Sequence, residues 1–144
     1  MIGFSDKEGI WKANEILPDG SEKSLNVWNE FASNFTQLAP WALGLFGNQC
    51  KNPDKIVEKL KSFYNLNDVR PDMPISDEFV HNLIDVLSDS MFSYAVDEAA
   101  KLRATHQHLD TYYHYFTFPG SHSLANLDLN GSTRKQKHPL MPLR

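Results

Sequence analysis

Two stretches with strand chemistry lie at opposite ends of a long insert in this chain, and helical patterns fill most of the sequence between them. The opening Met1-Ile2-Gly3-Phe4 is short and apolar and runs into the polar turn Ser5-Asp6-Lys7-Glu8-Gly9. Far downstream, Thr111 to Phe118 is dense in aromatic and β-branched residues and is closed by Pro119-Gly120. Strands so far apart are stable only if they pair with each other or with strands supplied from elsewhere. The second option fits a larger, mainly parallel sheet and predicts exposed strand edges and apolar helix faces. A chain that opens inside a core strand is expected to continue a longer polypeptide, so the fold class expected is α/β, mostly helical, with two or so strands of a larger sheet.

Between the strands the periodicity predicts four helices. Trp28, Phe31, Phe35 and Leu38 fall on one face, with Pro40 expected to stop the pattern. Asn52-Pro53 is a cap followed by a first-turn proline, and Ile56, Val57, Leu60, Phe63 and Tyr64 form the expected buried stripe. After a connector holding Pro71 and Pro74, Ser76 caps a helix with Asp77 and Glu78 in its first turn and Phe79, Val80, Leu83, Ile84 and Leu87 facing inward. Ser88 or Ser90 is expected to restart the pattern, with Met91, Phe92, Ala95, Ala99 and Leu102 carrying a fourth helix toward Thr105. From Ser121 to Arg144 the chain is polar and turn-rich, without periodicity.

With 144 residues, 41% hydrophobic and 22% charged, the chain has the composition of a globular protein. The net charge is −4, and the single basic cluster, Arg134 to Lys137 followed by His138, lacks interleaved aromatics, which argues against nucleic acid as a partner. No apolar run spans a bilayer, and Met1 to Glu8 has no signal-peptide pattern, which alone suggests a cytoplasmic protein. Two glycan acceptor tripeptides, at Asn34 and Asn130, point instead to the secretory pathway and an extracellular location. The lone Cys50 allows no internal disulfide and is expected to be a buried free thiol.

The run from Met1 to Gly9 resembles the acid-bearing turn of type-B carboxylesterases, the family of insect esterases and cholinesterases, in which a Gly is followed by four variable residues and Glu-Gly. Further downstream, Leu38-Ala39-Pro40, Ser88-Asp89 with Phe92, and Tyr112 to Phe118 with Gly120 and Ser123-Leu124 are similar to family segments in the same order. The resemblance implies an α/β-hydrolase fold, a Ser-Glu-His triad and a small-molecule carboxylic ester substrate, with no metal or organic cofactor. It assigns Glu8 as the triad acid, which orients the histidine and stabilises its imidazolium. Trp11 falls where related enzymes line the substrate pocket; plain core packing is the competing reading.

The departures matter as much. No Gly-x-Ser-x-Gly elbow occurs: Gly120-Ser121-His122-Ser123 lacks the spacing, and His138 does not match the family's Gly-x-x-His turn. Residues 1–144 are therefore expected to be an incomplete carboxylesterase domain, inactive alone, with the nucleophile region upstream and the catalytic histidine downstream. His106, His108, His114 and His122 lie close in sequence but show no metal-ligand signature, so no metal is expected. Two other classes remain: a non-catalytic adhesion protein on the same fold, and a self-contained helical interaction domain.

Overall fold

The computed structural model describes residues 2–5, 7–45, 50–106 and 110–117. Strand β1 (Ile2–Ser5) is followed by helices α1 (Ile10–Ile16), α2 (Glu22–Ser33), α3 (Phe35–Ala42), α4 (Pro53–Phe63) and α5 (Asp77–Ser88). A π-helical turn, Asp89–Ser93, joins α5 to α6 (Tyr94–His106), and strand β2 (Tyr113–Phe116) follows. The fold is mostly helical with one small parallel sheet.

The two terminal strands pair with each other. Ile2 stands opposite Tyr113, Gly3 opposite His114, Phe4 opposite Tyr115 and Ser5 opposite Phe116. At Gly3 the strands approach so closely that an added Cβ would clash with the His114 carbonyl oxygen and its Cβ. No side chain fits there. The sheet is thinly covered: Tyr113, Tyr115 and Phe116 are each about half exposed, at 48%, 50% and 49%. Parallel strands ordinarily have both faces buried, so this aromatic strand exposes surface that such a sheet usually covers.

The core lies among the helices, and α5 is its centre. Ser76 caps this helix by accepting from the Phe79 N–H at 3.1 Å, with Asp77 and Glu78 complementing the helix dipole. Phe79, Val80, Leu83, Ile84, Val86 and Leu87 are all buried. Leu83 and Leu87 lie on the stripe spaced by four and are among the most fully buried side chains of the described residues. Trp28 of α2 meets Phe79 edge to face at 5.8 Å and donates its indole N–H to the Pro71 carbonyl at 3.2 Å. That bond pins the proline-rich connector onto the core and satisfies the one polar atom the buried indole brings with it.

Several elements differ from the sequence expectation. The face running from Trp28 to Leu38 belongs to two helices broken at Asn34, because spacings of three and four persist across the corner. Pro40 does not stop the second of them; it lies inside α3, which ends two residues later. In so short a helix the missing N–H forgoes a single internal hydrogen bond, and the Leu43, Gly44 and Leu45 N–H groups still close the end onto Ala39, Trp41 and Pro40. On α4 only Val57 is fully buried; Leu60 and Tyr64 pack beside it, while Ile56 and Phe63, seven residues apart on a flanking strip, are exposed. The helix after Ser88 does not restart but runs on through the π-helical turn, and α6 buries none of its residues. Helix α1, seven residues long, is an addition to the four helices that the periodicity predicts. Cys50 is free and half-buried, not fully buried.

Candidate functional site: the acid turn and its clasp

The polar turn after β1 spans residues 7–9 and delivers the chain into α1. Lys7 adopts a left-handed backbone with φ of 62°, an uncommon conformation for a residue with a side chain, and its carbonyl accepts from the Ile10 N–H at 3.1 Å. Glu8 follows, half-buried, and Gly9 after it is buried.

Gly9 is the point where this turn meets the core. Its N–H donates to the Ser88 hydroxyl at 2.9 Å, and that hydroxyl in turn donates to the Ile84 carbonyl at 2.8 Å. The back-bond to Ile84 commits the hydroxyl proton, so a lone pair is left to receive Gly9. A Cβ at Gly9 would lie 2.6 Å from the Ser88 nitrogen, 2.8 Å from the Leu87 Cβ and 2.9 Å from the Ile84 carbonyl. Only glycine admits so close an approach. The Glu-Gly pair thus has a packing logic: the glycine seats against α5, and the preceding carboxylate is held one residue from a fixed point.

Immediately beyond Ser88 the helix widens into its π turn. Asp89 there accepts from the Tyr64 hydroxyl at 2.5 Å, tying α4 to the same junction. Burial, and then the Asp89 carboxylate beside it, push the Tyr64 phenol well above its usual range, so it stays protonated and donating at neutral pH. Single π turns interrupt helices at a cost and are frequent at functional sites.

Trp11, the second residue of α1, is 44% exposed, and Trp41 of α3 is more exposed still. Lys12 lies over both, its Nζ 4.7 Å from the Trp41 ring and 5.7 Å from the Trp11 ring, and it also pairs with Glu15 at 2.6 Å. In this segment the Trp11 side chain stands at the surface next to a lysine. Two cavities border the core helices. One, between α3, α4 and α5, is lined by apolar residues including Phe35, Val57 and Leu83 and holds only about 10 Å³; the other, about 250 Å³, runs beside Asn34 and Lys61. Neither is lined by Glu8 or Trp11.

Asn34 is exposed at the corner between α2 and α3, where its side-chain amide donates to the Glu30 carbonyl at 3.1 Å. The other acceptor tripeptide, at Asn130, lies outside the described residues, as do His108, His122 and His138. His106 is bound to the Leu102 carbonyl through Nδ1 at 3.0 Å, and the His114 ring stacks with Phe116. Among the described residues no three His, Cys, Asp or Glu side chains are grouped to hold a metal ion, and no helix is long and apolar enough to cross a membrane.

Sequence reasoning missed Ser88, read there as a helix restart, and the requirement for Gly9. The available signal was a serine four residues after Ile84 on a helix face that is otherwise wholly apolar.

No protein-family model matches the chain. It is similar to venom carboxylesterase-6 of Apis mellifera, with 22% identity over 134 residues that make up 92% of this chain and 22% of that protein. The chain thus spans about a fifth of the length of the curated relative it matches.

Proposed function

We propose that these residues form the acid-bearing segment of a longer carboxylic ester hydrolase, in which Glu8 serves the catalytic base. The observation that carries this reading is the likeness to a carboxylesterase across 92% of the chain. The seated Glu-Gly turn supports it, because a triad acid must be held still to orient a histidine.

In the full polypeptide a serine hydroxyl attacks the ester carbonyl while the histidine takes its proton. Glu8 then stabilises the imidazolium, which returns the proton to the departing alcohol. Water attacks the acyl-enzyme, the histidine takes its proton, and the acid product leaves as the serine is reprotonated. The proposed substrate is a small carboxylic ester, with water as second nucleophile and no cofactor. Trp11 is proposed to border the substrate, its exposed ring being free for contact on one side. The acceptor sites at Asn34 and Asn130, together with the venom origin in the relative's name, support an extracellular location and glycosylation.

Residues 1–144 contain no Gly-x-Ser-x-Gly elbow, so the segment alone is inactive on this reading. The test is hydrolysis of a short-chain aryl ester by this segment and by the full-length polypeptide. Turnover is expected from the second only. Turnover by the segment that disappears in Glu8→Ala would defeat the fragment reading, and no turnover by the full-length polypeptide would favour the non-catalytic adhesion alternative.

A further inference from the structure

We infer that Ser88 is a positioning residue for the Glu8 carboxylate, acting through its hydrogen bond to Gly9. The inference rests on the reading of Glu8 as the triad acid and goes beyond it, because Ser88 lies 79 residues away in sequence on another element.

The geometry leaves the hydroxyl little other role. Ser88 is the sole buried polar side chain in the core of the described residues, 8% exposed amid apolar neighbours. A serine that merely filled space there could be an alanine, since a lone hydroxyl in such surroundings loses water without gain. This hydroxyl is instead fully engaged, donating to Ile84 and accepting from Gly9. The second bond is the one that leaves α5 and reaches the turn. Gly9 bonds through its own N–H, whose nitrogen belongs to the peptide unit that begins at the Glu8 carbonyl. Fixing that N–H therefore fixes the orientation of the peptide plane directly after the acid. Lys7, on the other side of Glu8, is held in a left-handed conformation and bonded to Ile10. Glu8 thus sits between two restrained backbone units, one set by the local turn and the other by Ser88. The π turn starts at the next residue, Asp89, which Tyr64 holds, so the end of α5 that presents the hydroxyl is itself braced.

Removing the hydroxyl leaves the Gly9 N–H without its partner and frees the peptide plane. Displacement of a catalytic group by about an ångström costs on the order of 100-fold in rate. Loss of the clasp is therefore expected to lower kcat by roughly 10- to 100-fold with little change in KM, since substrate binding does not use this bond.

The experiment uses the full-length polypeptide, with Ser88→Ala, the near-isosteric Ser88→Cys and Glu8→Gln compared on a short-chain aryl ester. Rates are normalised to serines titrated with an organophosphate, so that unfolded molecules do not count. The expected result is a lower kcat per titrated serine in both Ser88 variants and a smaller loss than in Glu8→Gln. The acid limb of the rate–pH profile is also expected to move to lower pH, because a displaced carboxylate stabilises the imidazolium less and the base loses its proton at lower pH. A purely structural role would lower the number of titrated serines and leave the limb in place. Unchanged kcat and pH profile in both Ser88 variants, or no titratable serine in either, overturns the assignment of Ser88. Full activity in Glu8→Gln overturns instead the reading of Glu8 on which it rests.

Discussion

The Gly9 N–H and the Ser88 hydroxyl meet at 2.9 Å, so that a turn near the start of the chain is fastened to the end of its central helix. Above this contact stand the features that give the chain its functional interest: a carboxylate one residue before the glycine, a π-helical turn one residue after the serine, and a tyrosine that reaches that turn from a third helix. The clasp is at once a packing contact and the means by which the acid turn takes its place.

Substitution of the glycine tests the packing part. Gly9→Ala places a Cβ within 2.6 to 2.9 Å of α5 backbone and of the Leu87 side chain, with no flexible group able to yield. We expect a loss of about 1–3 kcal/mol, as for other overpacked cores, read from chemical denaturation of the chain. Stability equal to wild type would show that the turn does not approach α5 this closely.

Trp28 anchors the other side of the core. Trp28→Ala removes a ring that is 2% exposed, its edge contact with Phe79 and its bond to the Pro71 carbonyl. The expected cost is about 3–5 kcal/mol. Hydrogen exchange should also show the connector around Pro71 opening more readily.

The bond from Tyr64 to Asp89 is narrower in its consequences. Tyr64→Phe keeps the ring and deletes the hydroxyl, and we expect a loss of about 1 kcal/mol. Because burial and Asp89 raise the phenol above its ordinary value of 10.0, the contribution is fully present below that pH and fades only as pH climbs through the raised value. The stability difference between wild type and Tyr64→Phe should therefore stay constant from neutral pH to about 10 in denaturation midpoints.

Acid acts at the start of α2. The Ser24 hydroxyl and then the Ser21 N–H donate to Asp19, lowering its carboxyl from 3.8 to about 2. Its folded value lies below its unfolded value, so this contribution is present above pH 4 and is lost as pH falls toward 2. Carbon-detected titration should place Asp19 near 2 in wild type and closer to its ordinary value in Ser24→Ala. An ordinary midpoint in wild type would contradict the capping arrangement.

The sequence disclosed the parts whose signals are local. Ser76 before Asp77 and Glu78, and Asn52 before Pro53, mark the helix starts found at α5 and α4, although the Asn52 side chain makes no capping hydrogen bond, and the apolar stripe of α5 is buried residue for residue. The aromatic run around Tyr113 is a strand, shorter than its composition suggested. Boundaries failed where two helices share a continuous periodicity, as across Asn34, or where a helix continues through a π turn, as after Ser88. Helix α1 escaped notice because seven residues with Ile10, Ala13 and Ile16 buried make too short a pattern to distinguish from a turn. At the site, Glu8 could be singled out through its turn, whereas Ser88 shows in the sequence only as a serine on an apolar helix face, because its partner lies 79 residues away.

One measurement reaches the central claim, that Glu8 steadies a histidine supplied by the rest of a longer hydrolase. A crystal structure of the full-length polypeptide should place a Glu8 carboxylate oxygen about 2.6–3.2 Å from an imidazole nitrogen, with the opposite ring nitrogen facing a serine hydroxyl. A Glu8 side chain directed into solvent, remote from every histidine, would contradict it.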